Sequence, residues 1–334
     1  MSDLASGGGS ASAAVSGASL PLSASIPWLA PLQQSLAAAI SADRLGHALL
    51  LQVAPGLGGE WLATWLAARL FCSGAIPLRP CGECVSCRRV VSGEQPDLLR
   101  LRPIEDSKEI RVEQVRELAA ELALTSHGGG RKVAIVTPAD KLTRNAANAL
   151  LKTLEEPPGQ SLIILVTGEL SRLPVTVLSR CTRLGIPTPD SAQLSAWLQH
   201  HAKKPLDWDA VLAVLGARPL DALVADGEAL AALRQETLRA LERAANGSLD
   251  PVETAESWGK EDYGLRLACI ESWLAARLRD WAVRGRGAHA EPLFAALEEL
   301  REARQWTDSP VNKPLALERL LWRLNAAATN RRQG

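Results

Sequence analysis

The stretch HALLLQVAPGLGGEWLATWLAARLFC, residues 47–72, has the pattern of a strand, a glycine-rich turn and a helix. Residues 47–53 form a continuous apolar run of the length of a buried strand. After the glycines, Leu62, Leu66 and Leu70 recur every four residues, which predicts a helix with one apolar face. A glycine-rich turn between a strand and a helix can cradle phosphate. The turn is therefore either a chance cluster of glycines or a phosphate site, and its other residues decide between the two.

Two further apolar runs extend the same alternation along the chain. KVAIVT (132–137) and SLIILVT (161–167) have the length and composition of buried strands. Between them, residues 145–156 predict a helix that the proline pair at 157–158 ends. Strands that alternate with helices in this way predict an α/β domain, with a parallel sheet and helices on both of its faces. In such sheets ligands bind at the carboxyl ends of the strands, where the glycine-rich turn lies.

The glycine-rich turn departs from a working nucleotide loop at the positions that bind the ligand. Such a loop reads G-x-x-x-x-G-K-[ST], in which the lysine binds the terminal phosphates and the hydroxyl holds magnesium. Here Val53 stands at the first glycine and Gly58 at the second, with Gly56 between them. Gly59 replaces the lysine and Glu60 replaces the hydroxyl residue. Because the amino end of a helix favours an anion, Glu60 is expected to occupy the anion position of the loop itself.

An acidic motif that accompanies the nucleotide loop is damaged as well. TPAD (137–140) stands where a D-E-A-D sequence would follow the strand. Thr137 replaces the acid on the magnesium side and Pro138 replaces the acid that positions water, so only Asp140 remains. Two independent losses argue against rescue by another lysine. The sequence therefore predicts that this chain holds no ATP in its own loop and hydrolyses none.

Four of the six cysteines fall within residues 72–87. They are Cys72, Cys81, Cys84 and Cys87. Successive C-x-x-C spacings let tight turns point three thiolates at one ion, and the fourth cysteine completes a tetrahedron of the structural zinc type. The alternatives are an iron–sulfur cluster and disulfides, which a reducing cytoplasm disfavours. Cys181 and Cys269 stand alone and are expected to be small buried apolar residues.

Charge and composition argue against several classes of protein. Lys+Arg and Asp+Glu both number 37, so the formal net charge is zero and there is no basic excess for sequence-independent DNA affinity. No run reaches the ~18 apolar residues that a membrane span needs. Residues 1–25 are rich in Ser, Ala and Gly, and the first basic residue is Arg44, which predicts a disordered tail rather than a secretory signal. We therefore expect a cytoplasmic protein with no membrane partner.

The segment NAANALLKTLEEPPGQSLIILVTGELSRLPVTVLSRCTRL, residues 145–184, resembles the clamp-loader branch of AAA+ proteins. In that family a helix reading NALLKTLEEPP precedes a sensor strand and a Ser-Arg-Cys triplet. The triplet is Ser179, Arg180 and Cys181 in this chain. The long string and the spaced cysteines make this resemblance more specific than a glycine loop alone.

The resemblance implies a division of the chain into domains. The proline-rich IPTPD (186–190) is a natural break in the sequence. Before it we expect a RecA-like AAA+ domain with an inserted zinc module, and after it only helices. The expected ranges are 1–25 for the tail, 26–187 for the AAA+ domain with its zinc module near 72–87, 188–230 for a small helical lid, and 231–330 for an all-α collar.

The resemblance also implies an assembly. Clamp loaders of this family are rings of five subunits that use ATP bound at gamma or tau subunits to open a sliding clamp and place it on primed DNA. With its own loop eroded, this chain resembles the non-hydrolysing stator of such a ring, with gamma or tau and delta subunits as partners. Arg180 would then reach the ATP of a neighbouring gamma or tau subunit as an arginine finger. Its planar, permanently charged group stabilises charge on the transferred phosphoryl group.

Other positions match the family pattern without a clear chemical role. Thr167 matches the first nucleotide sensor and Arg218, in GARPLDAL, matches the second. With no nucleotide in the same chain, both are expected to have structural roles. Asn148, Lys152 and Glu155 are expected to hold their helix against the sheet. Two other readings remain open: an active AAA+ ATPase with an unusual loop, and a zinc-dependent nucleic-acid-binding module, against which the neutral charge speaks.

Overall fold

The computed structural model describes residues 20–74, 79–104, 107–128, 130–202, 204–283, 291–307 and 312–329. Most of the predicted tail, residues 1–19, lies outside these ranges. Residues 20–25 are described, and Leu22 within them is buried. The chain divides into two compact units, Met1–Pro189 and Asp190–Gly334.

The first unit is built around a five-stranded parallel sheet with the strand order β2-β3-β4-β1-β5. Its strands are β1 (Ala48–Gln52), β2 (Leu98–Leu101), β3 (Val133–Val136), β4 (Leu162–Thr167) and β5 (Thr182–Gly185). Its helices are α1 (Ala30–Ser41), α2 (Gly59–Phe71), α3 (Val85–Ser92), α4 (Val112–Ala123), α5 (Arg144–Glu155) and α6 (Val175–Leu178). This architecture confirms the predicted parallel sheet with helices on both faces.

The central strands are buried because their residues are apolar on both faces. β4 lies between β1 and β3, and all of its residues are buried. Its register pairs Ile163 with Ala48 of β1 and Leu162 with Val133 of β3. Parallel strands covered by helices on both faces have this continuous apolar character. Since the strands run in one direction, the loops that follow β1 and β4 meet at the same edge of the sheet.

Helix α5 shows how local sequence sets the ends of an element. It begins after Thr143, whose side chain accepts a hydrogen bond from the backbone N–H of Ala146 at 3.2 Å. It ends at Glu155, shortly before Pro157. Its buried face consists of Ala146, Ala147, Leu150, Thr153 and Leu154.

The role predicted for three polar residues of α5 is wrong. Asn148, Lys152 and Glu155 are all exposed, and none of them lies against the sheet. With 3.6 residues per turn, the spacing of the three places them on one stripe of the helix, opposite the buried stripe. Their side chains can therefore contact groups other than those against which the buried face of α5 packs.

The second unit is helical throughout its described residues. Its helices are α7 (Ser191–His201), α8 (Trp208–Leu215), α9 (Pro219–Ala222), α10 (Gly227–Ala245), α11 (Pro251–Lys260), α12 (Tyr263–Val283), α13 (Glu291–Gln305) and α14 (Lys313–Thr329). Apolar residues from α10 to α14 form one core. Helix α8 lies in the range expected for the lid, but it packs against α10 and α12, which lie mostly in the range expected for the collar. The boundary between lid and collar therefore stays a prediction. None of the helices in the described ranges is both long and apolar enough to pass through a membrane.

Candidate functional site

The glycine-rich loop between β1 and α2 has a backbone that requires its glycines. Gly56 has a φ of 77° and Gly58 a φ of 94°, both in the left-handed region that favours glycine. Between them Leu57 is fully buried, and its carbonyl accepts a hydrogen bond from the indole N–H of Trp28 at 2.8 Å. The turn is thus held in place by contacts within the chain.

Gly59 occupies the lysine position of the loop pattern, and its surroundings leave no room for a side chain. A Cβ atom there would lie 2.2 Å from Cγ1 of Val53 and 2.8 Å from Cγ1 of Val166. Both valines are buried, so neither can turn aside into solvent. Val53 itself stands at the first glycine of the pattern. The two departures are therefore physically linked, because the valine fills the space that a lysine stem would need.

Glu60 lies in the first turn of α2, and its expected place at the anion position of the loop stays a prediction. Its carboxylate pairs with Arg102, and Nη1 of Arg100 lies 3.7 Å from the same oxygen. Arg100 also donates to the hydroxyl of Thr64 at 3.2 Å. The carboxylate therefore lies near two full positive charges as well as the ~0.5 charge at the amino end of α2. Burial lowers the pKa of both arginines, and Glu60 is the counter-ion that they share.

The carboxyl end of β4 carries Thr167, which matches the first sensor position. Thr167 is buried, and its hydroxyl donates to Oδ1 of Asp140 at 2.9 Å. The same oxygen accepts a hydrogen bond from the backbone N–H of Gly168 at 3.2 Å. Asp140, the acid that remains in TPAD, is therefore engaged with the end of β4.

Arg180 lies between α6 and β5 at the surface of the first unit, with 34% of its side chain exposed. Its Nη1 donates to the carbonyl of Thr176 at 2.9 Å and lies 3.4 Å from the hydroxyl of Ser179. Its Nη2 pairs with the carboxylate of Glu155, the last residue of α5. The guanidinium is thus at the surface and is held by groups on two helices and the turn that follows α6.

Of the two cysteines outside the cluster, Cys269 is buried as predicted, and Cys181 is only partly buried. Cys181 is partly buried against the core of the first unit. Burial raises the pKa of its thiol to about 11, although the nearby charge of Arg183 acts in the opposite direction. Cys269 is buried in the second unit, and burial raises the pKa of its thiol to about 11. Both thiols are therefore protonated at neutral pH and poor nucleophiles.

Arg218 lies in the second unit, directly before the short helix α9. Its Nε lies 2.5 Å from Oδ2 of Asp221, and about half of its side chain is exposed. The two residues are three apart in the chain, so the ion pair is local to this turn. The structural role expected for Arg218 stays a prediction.

The four cysteines of residues 72–87 converge on one point. Their sulfur atoms all lie within 4.8 Å of one another, and Sγ of Cys81 lies 3.9 Å from Sγ of Cys87. All four are free of disulfide bonds. Four thiolates at ~2.3 Å from one tetrahedral zinc ion would lie ~3.8 Å apart. The cluster therefore fits a single metal ion.

Backbone N–H groups point at the sulfurs of Cys72, Cys81 and Cys84. Cys72 accepts from Gly74 and Cys81 at 3.3 Å, Cys81 accepts from Cys84 at 3.3 Å, and Cys84 accepts from Cys87 at 3.4 Å. Burial raises the pKa of the Cys84 thiol, but hydrogen bonds from backbone and side chains, led by that from the N–H of Cys87, outweigh it and bring the pKa to about 5. The N–H of Cys84 likewise lowers the pKa of Cys81. Hydrogen bonds of this kind favour the thiolates that bind metal.

Comparison with known proteins identifies the family. The family model described as DNA polymerase III, delta subunit, matches residues 29–190. A DNA polymerase III subunit delta' of Pseudomonas aeruginosa is 35% identical over 235 residues, which cover 70% of this chain and 72% of that protein. The subunit delta' of Haemophilus influenzae is 32% identical over 262 residues, 78% of this chain and 77% of that protein. This chain belongs to the DNA polymerase III delta-prime family.

This chain is also similar to proteins named as other subunits. A DNA polymerase III subunit tau of Escherichia coli is 36% identical over 166 residues, 50% of this chain and 25% of that protein. A gamma subunit-related protein of Thermotoga maritima has a solved structure with a TM-score of 0.50 and 18% identity, covering 89% of this chain and 99% of that chain. The second likeness concerns the fold alone. The resemblance carried by residues 145–184 is confirmed at the level of the delta-prime family.

Three contacts around the site of this delta-prime family member were not foreseen from its sequence. They are the bond from Trp28 to the loop, the filling of the lysine position by Val53, and the pair between Glu155 and Arg180. A bulky valine at a glycine position, next to a glycine at the lysine position, was a signal for the second contact. No local pattern connects the partners of the other two, because they are far apart in the chain.

Proposed function

We propose that this delta-prime family member is a clamp-loader subunit of DNA replication that hydrolyses no ATP in its own site. Relatives named DNA polymerase III delta' and tau support the assignment to that complex. A DNA-directed polymerase activity then belongs to the complex as a whole, and this chain contributes no catalysis of its own.

The observation that carries the proposal is the filled loop. A nucleotide loop binds the terminal phosphates through a lysine, and at Gly59 even a Cβ atom would meet Val53 and Val166. Glu60, at the position of the magnesium-binding hydroxyl, is paired with Arg100 and Arg102. Both groups that grip a Mg-nucleotide are therefore missing from the loop.

In this proposal, Arg180 is the residue through which this chain contributes to ATP hydrolysis at a neighbouring subunit. It is partly exposed and permanently charged, and it belongs to a Ser-Arg-Cys triplet that ends close to β5. In the proposed function it acts in trans as an arginine finger toward ATP in a neighbouring gamma or tau subunit. Such a finger contributes about 10³–10⁵-fold to the rate of phosphoryl transfer.

The proposed partners are those of a clamp loader. Gamma or tau and delta subunits complete a hetero-pentamer with this chain, and the collar of the second unit contributes to its assembly. The sliding clamp and primed DNA are reached through the complex. The sensor-like positions Thr167 and Arg218 have structural roles in this proposal, which their local bonds to Asp140 and Asp221 support.

The proposed metal is one structural zinc ion. Cys72, Cys81, Cys84 and Cys87 would hold it, and their four sulfurs leave no position for a catalytic water. When bound, the ion would fix the connection between α2 and α3, since its ligands lie at the end of α2, in that connection and in α3.

The test is an ATPase measurement on the isolated chain and on a reconstituted complex. The isolated chain is expected to show no turnover, and Arg180→Ala is expected to remove the stimulated turnover of the adjacent site while the complex elutes intact. Arg172→Ala is the matched control, because Arg172 is also an exposed arginine paired with a glutamate. ATP hydrolysis by the isolated chain, or unchanged stimulated turnover with Arg180→Ala, would contradict the proposal.

A further inference from the structure

We infer that Glu155 is a positioning residue for Arg180, and that it orients the guanidinium before a partner subunit presents its ATP. The inference rests on the proposed function of Arg180 as a finger in trans. Glu155 touches no nucleotide in this role, and it acts only through the arginine that it pairs with.

The guanidinium is held by three groups within the first unit. The carboxylate of Glu155 pairs with Nη2, the carbonyl of Thr176 accepts from Nη1 at 2.9 Å, and the hydroxyl of Ser179 lies 3.4 Å from Nη1. The carbonyl belongs to the last turn of α6, where helix carbonyls carry partial negative charge. Negative groups on α5 and α6 therefore hold the charged group from two different elements.

The ion pair with Glu155 leaves N–H groups of Arg180 with which it can bind a phosphate oxygen. A guanidinium has five N–H donors, and the contacts recorded among the described residues account for two on Nη1 and one on Nη2. Nε and the second N–H of Nη2 remain for a ligand. With 34% of the side chain exposed, an incoming phosphate oxygen can be bound without breaking the ion pair.

Glu155 has no evident part in the stability of its own helix. Its side chain is 49% exposed, and the buried face of α5 is formed by other residues. An exposed ion pair of this kind adds little to folding. The ion pair matters more for the orientation of Arg180 than for folding. An arginine has several rotatable bonds, and a small misplacement of a catalytic group has a large effect on rate.

The experiment compares variants in the reconstituted complex. The quantity compared is the stimulated ATPase rate after subtraction of the rate that remains with Arg180→Ala. Glu155→Ala is expected to lower this quantity about tenfold, within the ~10²-fold that a misplacement of 1 Å can cause. KM for ATP is expected to stay unchanged, because the finger acts in the transition state. Glu155→Gln is expected to be intermediate, because its amide oxygen still accepts a hydrogen bond from Nη2.

Two controls separate positioning from a structural effect. Glu156→Ala removes the neighbouring carboxylate and is expected to leave the rate unchanged. Among the described residues, Glu156 forms no ion pair. In the Arg180→Ala background, Glu155→Ala is expected to cause no further loss, because a residue that acts through Arg180 has nothing left to position.

The outcomes distinguish this inference from the proposed function. If Arg180→Ala has no effect, the finger itself is refuted. If Arg180→Ala is inactive but Glu155→Ala turns over like wild type, the positioning role alone is refuted. A faster rate with Glu155→Ala would show that the carboxylate restrains the arginine, and further loss in the double variant would show a structural role. Either result overturns the inference.

Discussion

A Cβ atom at Gly59 would meet Val53 and Val166, so packing leaves no room for a side chain at the lysine position of the loop pattern. Glu60 and Asp140 have likewise found partners within the chain, in Arg102 and Thr167. Polar groups that are partly buried need hydrogen-bond or ionic partners. At the scale of single residues, the glycine-rich loop is therefore tightly packed, and Glu60 and Asp140 are bonded within the chain.

Replacing Gly59 by alanine tests this packing. Gly59→Ala is expected to lower the free energy of unfolding by about 1–3 kcal/mol, because overpacking a filled core costs that much. Urea unfolding followed by circular dichroism measures the change. Gly185→Ala is the control, since a Cβ atom at Gly185 meets nothing within 4 Å. Equal stability of Gly59→Ala and wild type would mean that the loop has room for a side chain.

Two of the four clustered cysteines belong to helix α3 and its N-cap. The helix has eight residues, a length at which an isolated helix is marginal in water. Its N-cap is Cys84, whose sulfur accepts from the N–H of Cys87, and both are among the converging thiols. A metal ion would therefore stabilise this element by joining it to the end of α2.

Metal analysis tests the cluster. The purified chain is expected to contain about one zinc ion, and Cys84→Ser is expected to lose it and to lower Tm. Serine is itself a good N-cap, so the lower Tm reports the lost ion and not a lost cap. Cys269→Ala, a change in the second unit, is expected to keep the metal. A metal-free preparation that unfolds at the same Tm as the zinc-bound chain would exclude a structural metal.

At the scale of the whole molecule, charge limits what the chain can bind alone. The net charge is zero over 334 residues, while sequence-independent DNA binding depends on an excess of lysine and arginine. The chain has two compact units, and the motifs of the candidate site all lie in the first, apart from Arg218. We therefore expect contact with DNA to require the assembled complex.

Fluorescence anisotropy with labelled primed DNA tests this expectation. The isolated chain is expected to bind no tighter than about 10⁻⁴ M, and its affinity is expected to change little between about 50 and 200 mM salt. The reconstituted complex with ATP serves as the positive control. Tight, salt-sensitive binding by the isolated chain would instead favour the nucleic-acid-binding module considered from the sequence.

Much of the fold and part of the site could be predicted because their signals are local. The apolar runs of β1, β3 and β4 have strand length, and the apolar stripe of α5 follows the helical period. The contacts of Glu60 and Glu155 could not be predicted in this way. Each is a charged residue near a helix end, and its partner lies in a connection distant in the chain.

The sequence by itself determined the parallel α/β unit, the helical second unit, the four converging cysteines and the missing lysine. Periodicity, cysteine spacing and the absence of a group can all be read within a few neighbouring residues. Only the tertiary structure decided the strand order, the filling of the Gly59 position and the pairing of Arg180 with Glu155. These features join residues distant in the chain, and packing of the sheet and its helices sets which of them come within a few ångströms.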